Sequence, residues 1–378
     1  MNIYISKQDN NSYAFFYDNG EDFFTHKLSV KSEIKVQDDD IFRLALITNP
    51  FPNNNVNVSG VVVSSIIKDS MSNILNTEIT CDFKIGTKIE KCSIINDPNI
   101  IYLGFSGGFD SLAAKAILPK ECQIVSIDYG GNFSREKDFF IKFPTNIVEW
   151  DLRNKRLNSL IKFNESANWR FMLAPLTLFR EDRKNIVIAT GTVLEASPFW
   201  FDATPRLEMT SYSDAGFGTG ISVINPVSGL TEFSTALIVQ REYGDLITEQ
   251  CLKSIAHPNS FKVHRKRCLL AATKNNVETI KHPINKYIFG TSFADDFLSL
   301  YFCWKFGVEW TSEFYASGIP NNIAIYDMSF TEKLNENNLL FLDKDLRKST
   351  INNINNYGIE SYSSRDYENL DKVRCQLL

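Results

Sequence analysis

The stretch YLGFSGGFDSLAAKAIL, from Tyr102 to Leu118, constrains this chain more than any other. An apolar run stops at Phe105, Ser106-Gly107-Gly108 intervenes, and an apolar, helix-compatible run restarts at Asp110. Residues without a Cβ let another backbone or a ligand come very close. A buried strand that ends in such a turn and feeds a helix belongs to the α/β class.

Flanking segments repeat the alternation. NIIYLGF, beginning at Asn99, is nearly continuous in apolar residues, the mark of a strand covered on both faces. CQIVSIDYG (122–130), NIVEWDL (146–152) and NIVIATGT (185–192) read as three more buried strands, and NWRFMLAPLTLFRED (168–182) has helical spacing. Together they predict a doubly wound parallel sheet over residues 96–275, Rossmann-like, with ligands beyond the carboxyl ends of its strands. Residues 1–95 read as a separate β-rich accessory or dimerisation domain. Its strands are NIYIS, SYAFFYD, HKLSVKSEIKV and EITCDFKI, with a helix in VSSIIKDSMSNIL (63–75) and no chemical motif. Residues 276–378 read as a mostly helical, polar C-terminal region with a helix over 294–307.

Bulk composition narrows the function classes. The 378 residues allow two or three domains by a soft prior of about 150 each. A net charge of -5 and a sequence pI near 5.6 disfavour a nucleic-acid partner. Seven scattered cysteines without a CxxC pair argue against a disulfide scaffold and for a reducing compartment. With neither a signal-peptide pattern nor an apolar span of about 18 residues, a cytoplasmic location without membrane contact is expected.

Three nucleotide loops compete for the Ser-Gly-Gly turn. A P-loop needs GxxxxGK[ST], which is missing. GFGTG (216–220) comes nearest to a dinucleotide fingerprint but leads into the β-branched ISVIN rather than a helix, so a loop is the better reading. The third pattern, Ser-Gly-Gly-x-Asp-Ser, stands complete as Ser106-Gly107-Gly108-Phe109-Asp110-Ser111. Backbone N–H groups, a helix N-terminus and two hydroxyls suit a phosphate there. Asp110 serves either as a helix cap or as a ligand of the Mg²⁺ that travels with the phosphates.

This motif, in its strand–turn–helix context, resembles the PP-loop ATP pyrophosphatases of the adenine nucleotide alpha hydrolase-like superfamily. The resemblance implies cleavage of ATP to AMP and pyrophosphate, with AMP left on an acceptor oxygen. It implies that residues at the end of the second strand, among them Asp128, Tyr129 and Gly130, meet adenine and ribose. It also implies that Gly191, in ATGT, faces the nucleotide. INPVSGLTEFSTALIV (224–239) is similar to a proline-led segment of the 7-cyano-7-deazaguanine synthase branch, which carries a zinc cluster just downstream. Here that downstream stretch is SFKVHRKRCLLA, with Lys262 and Arg265 where cysteines are anticipated. Zinc is therefore not expected, unless Cys251, His257, His264 and Cys268 regroup.

The basic cluster Lys262, His264, Arg265, Lys266 and Arg267 reads either as a solvated helix face or as a contact for a phosphate or an acidic acceptor. Arg206 is a second candidate for that contact, and Phe199, Trp200 and Phe201 either wall an acceptor pocket or belong to the core. Asp110, Ser111, Arg206, Lys262 and Arg265 are thus the candidate catalytic set. The expected activity is adenylation of a carboxylate or carbonyl oxygen of a small molecule or nucleobase, followed by attack of ammonia or an amine. A homodimer is an open expectation. With no glutaminase nucleophile, ammonia is expected free or from a partner. The alternatives are a tRNA-modifying relative and a defence-associated nucleotide-binding module of weak turnover.

Overall fold

A computed structural model describes the chain except residues 10, 52–54, 87–99, 160, 162–167, 183–184, 197–215, 275–279 and 281–285, and the side chains of 132, 168 and 169. It is an α/β protein that divides into two compact units. The first comprises Met1–Ser106, Glu121–Thr190 and Ser211–Ile224. The second comprises Gly107–Lys120, Gly191–Thr210 and Asn225–Leu378.

The described residues of the first unit form twelve strands: β1 (Asn2–Asp9), β2 (Ser12–Asp18), β3 (Phe23–Val30), β4 (Asn55–Ser59), β5 (Val63–Ser64), β6 (Glu78–Thr80), β7 (Phe83–Lys84), β8 (Ile101–Gly104), β9 (Gln123–Asp128), β10 (Asn146–Trp150), β11 (Ile186–Ala189) and β12 (Ile221–Ile224). Ten of them form one mostly parallel sheet in the order β12-β11-β8-β9-β10-β3-β2-β1-β4-β6, and β5 pairs with β7 separately. The strands from β12 to β10 are all parallel. Their order reverses at β8, with β9 and β10 laid on one side and β11 and β12 on the other.

The boundary expected near residue 95 is not a boundary of the structure. β3 pairs antiparallel with β10, placing Val30 opposite Val148 and Leu28 opposite Trp150, so the N-terminal meander extends the parallel sheet. An open sheet edge leaves N–H and C=O groups unpaired, and β3 satisfies those of β10. Nor does the segment 96–275 stay together, since stretches of it belong to both units. HKLSVKSEIKV is a strand only to Val30. The next element is a helix, Asp38–Ile47, unannounced by the alternation but opened by three aspartates, which favour a helix N-terminus. The expected helix in 63–75 runs from Ser65 to Leu75. The helical spacing of 168–182 resolves into a short helix, Asn168–Leu173, and a 3-10 segment to Arg180.

Two buried polar groupings organise this unit. Asp40, with no exposed surface, pairs with Arg43 at 2.5 Å and with Arg180 at 2.9 Å, while Arg43 also donates to the Thr219 carbonyl at 2.5 Å. The second centres on the fully buried His26. Trp150 Nε1 donates to its Nδ1 at 3.0 Å, so the proton of the neutral ring is on Nε2, 3.0 Å from the Tyr17 hydroxyl. Burial, reinforced by Lys155, pushes the imidazole down to about 3. An unfolded histidine takes up a proton near pH 6.5. The unfolded chain therefore binds the extra proton first, and stability falls as the pH drops from about 6.5 toward 3. We expect a loss of about 2 kcal/mol between pH 7 and pH 5 from this group. Urea unfolding at the two values should show it, and His26→Gln should flatten that slope. An unchanged slope would count against a neutral buried ring.

The second unit is helical among its described residues. Its longer helices are Phe109–Ile117, Glu232–Ile255, Phe261–Lys274, Phe293–Phe306, Lys344–Asn356 and Ser364–Leu377. Glu232–Ile255 packs against both Phe109–Ile117 and Phe261–Lys274, and turns at Gly244, where φ is +74°. The expected helix over 294–307 is Phe293–Phe306, closed by Gly307. Among the described residues, no helix is long and apolar enough to cross a membrane.

Candidate functional site

The Ser-Gly-Gly-Phe-Asp-Ser motif straddles the division of the chain: Ser106 ends a segment of the first unit and Gly107 begins one of the second. Gly107 has φ +74°, a conformation a Cβ would oppose, and Gly108 is the N-cap of the nine-residue helix Phe109–Ile117. Ser111 turns its hydroxyl back to the Gly108 carbonyl at 3.0 Å. Phe109 is buried beneath the helix start and carries the Lys266 ammonium 5.1 Å from its ring centre. Asp110 stands in the first turn with its carboxylate 31 % exposed.

Asp110 is the outer member of a chain of buried charges in the second unit. Its Oδ1 accepts from the Thr235 hydroxyl at 2.8 Å and is 3.6 Å from Lys266 Nζ. Lys266, only 3 % exposed, is 3.0 Å from Glu232 Oε2. The other oxygen of Glu232 receives Arg265 at 2.8 Å, and Arg265 also pairs with Asp295. Behind them Glu195 Oε1 accepts the backbone N–H of Glu232 at 2.7 Å. Burial pushes the Glu232 carboxyl up, but Lys266 and Arg265, with Lys262 behind, more than reverse that and hold it low. Burial and then repulsion by Glu232 raise the Glu195 carboxyl. Burial presses on the Lys266 ammonium, but Asp110 and Glu232 outweigh it and keep the group protonated. The arrangement therefore holds the buried Lys266 ammonium beside a partly exposed carboxylate at a helix N-terminus, with Lys262 also in electrostatic reach of Asp110.

Gly191 belongs to the same unit and lies against the first turn of Phe109–Ile117. A Cβ there would fall 2.9 Å from the Asp110 carbonyl carbon and oxygen. Its neighbour Thr192 is fixed by a reciprocal pair of hydrogen bonds with the Asn225 side chain, at 3.2 and 2.6 Å. The residue is a glycine because two backbones meet there.

Asp128 ends β9 in the first unit, and Tyr129 and Gly130 follow it. They line a cavity of about 520 Å³ together with Tyr13, Lys27 and Trp150. Asp128 accepts from the Gly130 N–H at 2.8 Å and pairs with Lys137 at 2.6 Å. Gly130 takes φ +65°.

The basic cluster divides by exposure. Lys262 and Arg267 are exposed, whereas His264, Arg265 and Lys266 are buried, so the helix face is not simply a solvated one. Arg265, expected in the candidate catalytic set, is buried. Its guanidinium is committed to Glu232 and Asp295, and the cation beside Asp110 is Lys266. Sequence reasoning placed Lys266 in the cluster but not in the site. Thr235, Glu232 and Glu195 were not singled out as site residues; the acid of GLTEF was the one available signal. Arg206, Phe199, Trp200 and Phe201 lie outside the described residues.

The residues suit a magnesium ion better than a zinc. Asp110 Oδ1 is taken, but Oδ2 accepts no hydrogen bond from the described residues. One carboxylate oxygen plus phosphate oxygens is a usual way of binding Mg²⁺. The zinc regrouping does not fit. His264 and Cys268 sit one turn apart, with Sγ 3.8 and 3.9 Å from the ring nitrogens. Cys251 donates elsewhere, to the Gly107 carbonyl, and His257 is exposed. Among the described residues no three metal-ligating side chains gather.

No protein-family model matches the chain, and no curated protein or solved structure was found to be significantly similar to it.

Proposed function

We propose that this chain is an ATP-dependent adenylating enzyme that releases pyrophosphate and joins AMP to an oxygen of a small molecule or nucleobase. The observation that carries the reading is the turn Gly107–Ser111: a positive-φ glycine, a second glycine at the N-cap, and a carboxylate in the first helical turn with a buried ammonium beside it. The order of the five parallel strands supports it. That order reverses at β8, the arrangement of open sheets that bind nucleotides outside their strand ends. From β8 the chain runs directly into the motif.

Each residue has a defined task in this reading. The helix start and the loop amides hold the pyrophosphate portion of ATP. Lys266 neutralises charge that grows on the leaving oxygens, and its pairing with Glu232 keeps it protonated and in place. Asp110 would hold Mg²⁺, which supplies Lewis-acid neutralisation of the phosphates when bound. An acceptor oxygen attacks the α-phosphorus, a P–O bond forms, and the bond to the β-phosphate breaks with its electrons leaving on pyrophosphate. Ammonia or an amine then displaces AMP and gives its proton to solvent. No covalent enzyme intermediate is needed.

The deciding experiment is product analysis with Mg²⁺ and α-labelled ATP, with and without a metabolite extract. AMP and pyrophosphate, increased by the extract, are the expected products. ADP and phosphate, or tight ATP binding without turnover, would replace this reading with that of a nucleotide-sensing module.

A further inference from the structure

Glu195 sits in the short turn Leu194–Ala196 of the second unit and is only 1 % exposed. The turn is fastened twice to the start of Glu232–Ile255. Leu194 N–H donates to the Leu230 carbonyl at 2.7 Å, and Glu195 Oε1 accepts the Glu232 N–H at 2.7 Å. Glu195 Oε2 is buried without a hydrogen-bond partner among the described residues. The two cations nearby, Arg265 and Lys266, both go to the Glu232 carboxylate instead, at 2.8 and 3.0 Å.

A buried ionised carboxylate without a counter-ion is costly, and a second carboxylate beside it adds to the cost. Keeping its proton relieves both. Burial and then the Glu232 charge push the Glu195 carboxyl up, against the hydrogen bond from Glu232 N–H and a smaller pull from Lys266. The other elements packed here supply no competing charge. On Phe293–Phe306, Asp295 pairs with Arg265, Asp296 accepts the Gly290 N–H, and Lys305 pairs with Glu332. The Tyr362 hydroxyl, in electrostatic reach of Glu195, is held neutral by burial.

We propose that Glu195 is a positioning residue that, as an uncharged acid, anchors the start of Glu232–Ile255 and leaves the Lys266 ammonium to Glu232 and Asp110. Its effect on turnover rests on the adenylating reading, in which Lys266 neutralises the leaving pyrophosphate. An ionised Glu195 would compete with Asp110 for that ammonium.

The test compares full-length wild type with Glu195→Gln, which keeps an oxygen for the Glu232 N–H and cannot ionise. In the folded wild type Glu195 holds a proton that an unfolded glutamate, near its ordinary value of 4.5, has released. The folded state binds more protons, so stability falls as the pH rises through this range. Urea midpoints at pH 7 and pH 8 should therefore fall more steeply for wild type than for the glutamine variant. Equal slopes would overturn the uncharged acid. Pyrophosphate release is then followed from pH 7 to pH 9. Wild type should lose at least about five-fold relative to the variant as Glu195 ionises. Parallel profiles would overturn the hold on Lys266 even where the urea slopes differ. If wild type releases no pyrophosphate at any pH, the adenylating reading falls and the positioning role with it, whereas the urea slopes still decide whether Glu195 is uncharged.

Discussion

If the chain is the adenylating enzyme proposed above, Asp110→Asn is expected to lower pyrophosphate release from ATP by about a thousand-fold while leaving the protein folded. The asparagine side chain keeps an oxygen for the Thr235 hydroxyl, which donates to Asp110 Oδ1 at 2.8 Å, so the helix start retains its shape. What disappears is the negative charge that faces Lys266 and would hold Mg²⁺. The loss therefore appears in turnover more than in ATP affinity, which should change by less than about ten-fold. Quench-flow measurement of labelled AMP, beside calorimetric titration with ATP, separates the two quantities. A variant that keeps wild-type turnover would remove Asp110 from the chemistry and return it to a helix-capping role. Lys266→Met is a useful companion, because it leaves Glu232 buried with Arg265 as its remaining strong partner.

The largest stability effect is expected in the first unit. Asp40→Ala destabilises the first unit by about 3–5 kcal/mol, because two guanidiniums lose a buried counter-charge. Arg43 is fully buried and keeps the Thr219 carbonyl as a hydrogen-bond acceptor, whereas Arg180 retains Asp39 at 3.6 Å. The double variant Asp40→Leu with Arg43→Met removes charge and partner together and should recover much of the loss, since apolar replacement of a buried pair is often neutral. Urea midpoints of the single and double variants decide this. If the single variant costs less than about 1 kcal/mol, the pair is not an energetic keystone of that unit.

What could be read without tertiary structure was local. The run NIIYLGF, the double glycine and the helix after Asp110 announced a strand, a turn and a helix start, because burial on both faces, positive φ and capping leave their marks within a few residues. The same holds for β9, β10 and β11 and for the helix ending at Gly307. The helix Asp38–Ile47 shows the limit of alternation as a guide: its triple aspartate was a sufficient signal, but the strand-like run before it was extended too far.

Pairing and charge assignment were decided only in three dimensions. The strands of residues 1–95 alternate in the same way whether they form their own sheet or extend another. It is the open edge of β10 that recruits β3, and no local pattern encodes that choice. The basic cluster offered four cations and a histidine within residues 262–267, and helical geometry divided the cations: Arg265 went to Glu232 and Asp295, Lys266 to Asp110 and Glu232, and Lys262 and Arg267 stayed exposed. The partners come from chain segments 30 to more than 150 residues away, and an ion pair across such a distance is invisible until the backbone is folded. By itself, then, the sequence determined an α/β chain with a double-glycine turn at a helix start. Tertiary structure decided which cation faces that turn, because only packing brings a buried lysine, a carboxylate and a helix N-terminus within reach of one another.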